Sequence, residues 1–351
     1  MIKRRKSIGF KIGDVEIGNG APISVQSMCN TDTRDVAKTV RQIEELTDAG
    51  CEIIRLAVLD NDAALAIKDI VKRVKIPVIA DIHFDYKLAI QSINSGVQAL
   101  RLNPGNIGKR ENTEQVVKLA KQQNIPIRIG VNSGSLDKKL VDNHMLSQSE
   151  KLVESALSHI KILEDLDFNL IKVSLKSSDV LTTIEASRLI AKKIPYPLHL
   201  GVTETGTLKG GLVKSSVGIG TLLAEGIGDT IRVSLTENPI EEVLAGFEIL
   251  KSLNLRKRGV NFISCPTCGR TQIDLISLAK RVEERFKNLD KPITIAVMGC
   301  AVNGPGEARE ADFGIAGGVG EGLIFQKGQI IAKVREEELL DKLEQIIKSS
   351  V

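Results

Sequence analysis

The chain of 351 residues has no tryptophan, two tyrosines and an aromatic content of 3%, so few side chains are on offer for stacking on bases. Its formal net charge of +4 is a weak electrostatic footprint, and the two shortages together argue for no nucleic acid partner. No run is long and apolar enough for a transmembrane helix, so no membrane is expected either. The basic start MIKRRK leads into SIGFKIGDVEIG rather than an apolar stretch with a cleavage site, and a cytoplasmic location is expected. Five cysteines, Cys29, Cys51, Cys265, Cys268 and Cys300, are odd in number and too sparse for a disulfide scaffold. Reduced thiols, with a metal among them, are the better expectation.

What is present is a large apolar share, 42%, beside 26% charged residues, enough for a sizeable core under a solvated surface. A β-rich run recurs eight times: PISVQSM, EIIRLAV, PVIADIH, VQALRLN, PIRIGV, LIKVSL, PLHLGVT and TIRVSLT. Between them lie amphipathic patterns such as DVAKTVRQIEELTDAG, NDAALAIKDIVKRV and NTEQVVKLAKQQN, with apolar residues at steps of three and four. The strands read as near-continuous apolar runs, buried on both faces, and an eightfold βα repeat of that kind predicts a (β/α)8 TIM barrel over residues 1–255. A doubly wound open sheet is the alternative.

Near LKSLNLRKRGV the pattern changes, and RKRG reads as a boundary loop with a solvated charge run. A small α/β domain is expected over 259–351. It comprises strand VNFIS, helix QIDLISLAKRVEERFKN, strand ITIAVM, a glycine-rich region GIAGGVGEG, a hairpin GLIFQKGQIIAKV and a final amphipathic helix.

In such a barrel the catalytic groups stand at the carboxyl ends of the strands. The polar residues there are Gln26 with Ser27, Arg55, Asp81 with His83, Arg101 with Asn103, and Arg128 with Asn132. The later strands add Lys172 with Ser174 and Lys176, His199 with Thr203 and Glu204, and Arg232 with Ser234. Four arginines and two lysines would converge on one mouth, and their repulsion calls for a multiply anionic ligand of diphosphate size. The plainer reading is that each cation pairs with a barrel acid such as Asp81 or Glu204, or reaches out to solvent. His83 and His199 read either as bases or as satisfied hydrogen-bonding residues. Glu204 is the acid expected to handle protons, as a base or a charge stabiliser, and His83 and Asp81 are the other candidate catalytic groups.

Cys265 and Cys268 lie in SCPTCGR and Cys300 in VMGCAVNGPGE. A zinc knuckle wants four ligands, yet no cysteine follows Cys300, and His83, His144, His159 and His199 all belong to the barrel half. A thioredoxin-like pair would leave Cys300 unexplained. Three thiolates suit an iron-sulfur cluster with one iron left to an oxygen ligand. The turn Gly304-Pro305-Gly306 offers Glu307 for that place, although a surface glutamate at a loop tip fits the same composition. Cys29 and Cys51 read as inert packing.

With SCPTCGR, VMGCAVNGPGEA, LRLNPGN, IRIGVNSGSL and HLGVTETG in order, the chain closely resembles the bacterial 4-hydroxy-3-methylbut-2-enyl diphosphate synthases of the non-mevalonate isoprenoid pathway, over nearly its whole length. The resemblance implies a [4Fe-4S] cluster on Cys265, Cys268, Cys300 and Glu307. It implies a 2-C-methyl-D-erythritol 2,4-cyclodiphosphate substrate gripped by Arg55, Arg101, Arg128, Lys172 and Arg232. A two-electron reductive ring opening with loss of water is expected, fed by ferredoxin or flavodoxin. A homodimer is implied in which the barrel of one chain faces the cluster domain of the other. The rival classes are a zinc-containing barrel lyase or aldolase acting on a phosphorylated substrate, and a metal-cluster sensor that binds an anionic effector without turnover.

Overall fold

Two short apolar runs around a Gly-Asp pair form an antiparallel hairpin, β1 (Phe10–Ile12) and β2 (Val15–Ile17), in the computed structural model, which describes residues 2–300, Gly306 and 308–350. Gly13 sits at φ +55°, the left-handed geometry that a two-residue hairpin turn favours and glycine adopts freely. The sequence pattern did not announce this hairpin.

Eight parallel strands follow: β3 (Ser24–Met28), β4 (Ile53–Ala57), β5 (Val78–Asp81), β6 (Ala99–Arg101), β7 (Ile127–Asn132), β8 (Ile171–Lys176), β9 (His199–Leu200) and β10 (Thr230–Ile231). Each pairs with its sequence neighbour from β3 to β8, and β9 pairs with β10 and β10 with β3. The ring closes through a parallel bridge between Val173 and Leu198, with the Val173 N–H donating to the Pro197 carbonyl at 3.0 Å. Helices α1 (Val36–Asp48), α2 (Asn61–Val71), α3 (Tyr86–Asn94), α4 (Arg110–Gln122), a short α5 (Lys138–Val141), α6 (Gln148–Glu164), α7 (Val180–Lys193), α8 (Leu208–Ala224) and α9 (Pro239–Ser252) lie between and after the strands. Aspartates start several of them: Asp60 accepts from the Ala63 N–H at 2.9 Å and Asp179 from the Thr182 N–H at 2.7 Å. The result is the (β/α)8 barrel, not the open sheet.

One expectation needs correction. The strands are not uniformly apolar: β7 reads Ile-Arg-Ile-Gly-Val-Asn and β8 Ile-Lys-Val-Ser-Leu-Lys, a strict alternation. Ile127, Ile129, Val131, Ile171, Val173 and Leu175 join the core with Leu152, Ile160 and Leu163 of α6. The intervening residues face the barrel axis. All six positions of β8 are buried, but only one face is buried in hydrocarbon.

The hairpin closes one end of this polar interior. Ile12 and Ile17, 0% and 1% exposed, pack on Ile53, Ile79 and Ala99 at the amino ends of β4, β5 and β6. The carboxyl ends stay open.

The chain divides into two compact units, Met1–Arg256 and Lys257–Val351. Arg256 is not part of a solvated charge run. It donates to the Ile23 carbonyl and to Glu52, both at 2.8 Å, and lies over the Phe247 ring. In the second unit β11 (Asn261–Ser264), β12 (Thr294–Met298) and β13 (Phe313–Gly317) run parallel, and β14 (Glu321–Gln326) and β15 (Gln329–Arg335) add an antiparallel hairpin. Helix α10 (Leu275–Phe286) and the final helix Leu339–Ser350 cover one face through Leu278, Val282, Leu343 and Ile347. The glycine-rich stretch is partly strand β13, because a Cβ at Gly314 would lie 2.2 Å from the Phe325 ring. There the glycine makes room for an aromatic side chain.

Replacing Ile17 by alanine should lower the stability of the barrel by about 2–4 kcal/mol, the usual cost of truncating a fully buried aliphatic side chain. Chemical denaturation measures that loss, and ligand affinity of the folded fraction should change less than about twofold, since the plug lies at the end opposite the cavity.

Candidate functional site

The open end holds a cavity of about 170 Å³ lined by Arg55, Asp81, His83, Arg101, Arg128, Gly130, Asn132, Ser174, Lys176, Thr203, Arg232 and Ser234. Strand register explains the gathering. Asp81 lies beside Arg101, Arg101 beside Arg128, Arg128 beside Lys172 and Asn132 beside Lys176, so neighbouring strands present polar groups on the same inward face.

Asp81, 5% exposed, joins three of these residues. Arg101 donates to it at 3.2 Å, Arg55 approaches at 3.6 Å and the His83 ring at 3.6 Å. Burial alone would raise its pKa, but Arg55, the nearby His83 ring, and then Arg101 and Arg128 outweigh burial and hold it well below the carboxylate range. It is a fixed anion and a poor proton source, which corrects the expectation of catalytic acid-base work for Asp81. Arg55 also points its guanidinium at Met28 Sδ, and burial brings its pKa down to about 10 even with Asp81 beside it.

Arg232 approaches a second buried carboxylate, Glu242 of α9, at 3.4 Å, and Glu242 also accepts from the Leu235 N–H at 2.8 Å. Arg101 donates to the Gly130 carbonyl at 2.9 Å, and Asn103 brackets the same residue, accepting from its N–H at 2.9 Å and donating to its carbonyl at 3.1 Å. Five basic residues, Arg55, Arg101, Arg128, Lys176 and Arg232, thus line one cavity with two carboxylates beside them, which pair with Arg55, Arg101 and Arg232. Burial, followed by the nearby arginines, drives the pKa of Lys176 well below the usual lysine value. The surplus positive charge in a partly dry space is what an anion with several oxygens would neutralise.

The structure brings together every expected substrate-binding residue except three. Asn103 is spent on Gly130, and Lys172 and His199, each 1% exposed, lie deeper along the axis and are absent from the cavity lining. Glu204 is exposed in the loop after β9 and does not line the cavity; its φ of +54° is unusual for a residue with a side chain. Sequence reading missed Gly130, Met28 and Glu242. Gly130 had a signal, a glycine inside a strand marking close approach: a Cβ there would lie 2.7 Å from Arg101 Nε. Glu242 had none, because a glutamate in the first turn of a helix looks like any other helix-start acid.

In the second unit Cys265 follows β11 directly and Cys300 follows β12 by one intervening residue, on paired parallel strands where Ser264 lies beside Val297. Cys265 Sγ accepts from the Gly299 N–H at 3.2 Å, and the Gln272 N–H binds the Gly299 carbonyl at 2.9 Å, tying the two loops together. Cys268 is exposed and its N–H donates to Thr271 Oγ1. Glu307, with 301–305, lies outside the described residues. Among the described residues no three of His, Cys, Asp and Glu close on a common point for one metal ion. Cys29 and Cys51 are different: burial pushes both thiols up to about 12, so they stay protonated packing residues.

Fold and site define an anion-binding (β/α)8 barrel carried with a thiol-bearing α/β unit. The chain belongs to the GcpE family: residues 7–247 match the GcpE TIM-barrel domain and residues 261–349 the GcpE protein C-terminal domain. Relatives named 4-hydroxy-3-methylbut-2-en-1-yl diphosphate synthase (flavodoxin) include those of Clostridium perfringens, 61% identical over 99% of this chain and 100% of its own length, and Dehalococcoides mccartyi, 62% identical over 98% of each. The protein of Geobacter sulfurreducens is 57% identical over 97% of this chain and 96% of its own. Among solved structures, dihydropteroate synthase from Stenotrophomonas maltophilia aligns with TM-score 0.53 and 12% identity, covering 71% of this chain and 97% of its own. That likeness is one of barrel fold.

Gly130→Ala should displace Arg101 and weaken inorganic pyrophosphate binding at least about tenfold, one buried charged contact's worth, without unfolding the barrel. Calorimetric titration reads the first effect and circular dichroism the second. Glu204→Gly should relieve the left-handed strain and raise stability by about 1 kcal/mol at most, as read from denaturant midpoints.

Proposed function

We infer that the chain is an oxidoreductase of the non-mevalonate isoprenoid pathway. It converts 2-C-methyl-D-erythritol 2,4-cyclodiphosphate to (E)-4-hydroxy-3-methylbut-2-enyl diphosphate by reductive ring opening and dehydration. The observation that carries this reading is the cavity in which four arginines and Lys176 stand against two carboxylates; the activity named for the relatives agrees with it. The substrate dianion takes two electrons and one proton, a C–O bond to phosphate breaks, and a hydroxyl departs as water, leaving a linear diphosphate.

Arg55, Arg101, Arg128, Lys176 and Arg232 bind the phosphate oxygens, with Arg offering bidentate geometry. Asn132, Ser174, Thr203 and Ser234 supply neutral hydrogen bonds to the remaining oxygens. Asp81 keeps Arg55 and Arg101 in place as their counter-ion. Bond breaking at the phosphate end leaves added negative charge there, and a preorganised cluster of guanidinium groups stabilises it without reorganising. Glu204 and His83, on loops at the mouth, are the proposed proton donors to the departing hydroxyl.

Cys265, Cys268 and Cys300, with Glu307 as a weaker fourth ligand, would hold a [4Fe-4S] cluster. When bound, that group supplies the two electrons one at a time. The Gly299 N–H beside Cys265 Sγ favours the thiolate such a ligand must be. Flavodoxin, named for the relatives, is the proposed electron donor, with ferredoxin as its substitute. A homodimer, the barrel of one chain facing the cluster domain of another, is part of the same proposal. An apolar groove between α8 and α9, with the exposed Leu244 in its lining, gives a second copy a surface to cover. No helix among the described residues is long and apolar enough to cross a membrane. A cytoplasmic location follows from the need for reduced thiols and a soluble donor.

Protein purified without oxygen should contain close to four irons and four sulfides per chain, as a [4Fe-4S] centre requires, and should turn over the cyclodiphosphate with reduced flavodoxin. One tight zinc and no sulfide would sink the reading in favour of a barrel lyase. Cys268→Ser should abolish turnover and lower the iron content, while cyclodiphosphate binding to the barrel stays within about threefold, since the thiol is not expected to carry phosphate affinity.

A further inference from the structure

Beneath the cavity lies a tier of polar side chains that the ring opening, as read above, does not use. Lys172, His199 and Gln26 are each 1% exposed, and Lys172 Nζ, His199 Nε2 and both Gln26 amide atoms have no hydrogen-bond partner among the described residues. Arg128 Nε, on the neighbouring strand in register with Lys172, is in the same position. Buried polar groups are rarely left like this, and here several share one barrel interior.

The groups around Lys172 make the case sharper. Arg128 acts on it from β7 and Arg55 from β4, His199 stands on β9, and Lys176 follows on its own strand; Asp229, just before β10, is the one carboxylate that bears on it. Asp229 is already engaged by the Leu198 N–H at 2.8 Å, Ser7 Oγ at 2.9 Å and Arg4 at 3.3 Å. An ammonium has three donors and no acceptor, and the unpaired acceptor of this tier, Gln26 Oε1, is neutral and offsets none of the charge of Arg128 and Arg55. An uncharged amine carries no charge for Arg128 and Arg55 to repel. Arginine cannot shed its proton to relieve the crowding, whereas lysine can.

We propose that Lys172 is the proton acceptor of ligand binding: an uncharged amine in the free enzyme that takes a proton from solvent when a diphosphate dianion fills the cavity above it. Burial, followed by Arg128, drives the Lys172 pKa well below the usual lysine value, the direction the free state needs. A dianion set against the arginines cancels the field that disfavoured the ammonium. The sign follows by linkage: a group whose pKa rises on binding takes up a proton between its free and bound values, so affinity increases as pH falls through that window. The inference rests on the cyclodiphosphate reading for its ligand, and that ligand suits the measurement. Each phosphorus in the ring carries a single, strongly acidic hydroxyl, so the ligand exchanges no protons near neutrality.

The test is calorimetric titration of the anaerobically purified holoenzyme with the cyclodiphosphate, without an electron donor, in two buffers of different ionisation enthalpy at mildly alkaline pH. The wild type should take up close to one proton, and its Kd should weaken roughly tenfold per pH unit, the slope of one linked proton. In Lys172→Met, which keeps the side-chain length without the amine, uptake should fall by more than half and the pH dependence should flatten. Should the Met variant fail to fold by circular dichroism, Lys172→Gln serves in its place with the same expectation. Binding by the wild type without proton uptake, or uptake that persists in the Lys172 variant, overturns the inference. Absence of any cyclodiphosphate binding by the wild type would count instead against the proposed function.

Discussion

The rest of the structure depends on one arrangement: a barrel whose inner wall is polar and positively charged, held inside an outer wall that is apolar. Buried like charges repel, and desolvation adds several kcal/mol per ion, so such an interior persists only where other contacts over-determine it. The helices provide them. Ile127, Ile129, Val131, Ile171, Val173 and Leu175 are all at most 3% exposed beneath the helical layer, and their packing forces the alternate positions of the same strands toward the axis.

Charge inside the barrel is distributed rather than cancelled. Asp81 serves Arg55 and Arg101, and Glu242 serves Arg232, which fixes the guanidinium groups while leaving net positive charge for a ligand. Glycines complete the geometry where a side chain would intrude: Gly130 gives way to Arg101, and Gly201 lets Lys176 pass, since a Cβ there would lie 2.6 Å from its Nζ. The hairpin under the barrel supplies the opposite condition, a dry floor of Ile12 and Ile17. Polarity therefore increases along the axis from that floor to the mouth, with the Lys172 tier between.

Much of this was legible beforehand, and the failures have physical causes. Eight βα repeats, the cations at the strand ends and the widely spaced thiols depend on local pattern and could be counted. The alternation of β7 and β8 was misread because Gly and Ser at inward positions break the contrast between polar and apolar, and strands as short as His199–Leu200 leave too few residues to establish a period. The glycine-rich stretch was given no secondary structure because the partner that explains Gly314, Phe325, belongs to another strand. Arg256 looked solvated for the same reason: Glu52 and Ile23 are some two hundred positions away.

By itself the sequence determined the repeat, the amphipathic faces, the chemical kinds of residue at each strand end and the three thiols, because these follow from order and spacing along one chain. Tertiary structure alone decided which cations share which carboxylate, that Asp81 is a fixed anion, that Asn103 is spent on Gly130, and that Lys172 and His199 lie below the cavity rather than in it. Those outcomes depend on strand register, which sets the depth of each inward side chain through hydrogen bonds between segments distant in sequence. A shift of one residue in any strand would turn its charges toward the helices. No single segment encodes that choice.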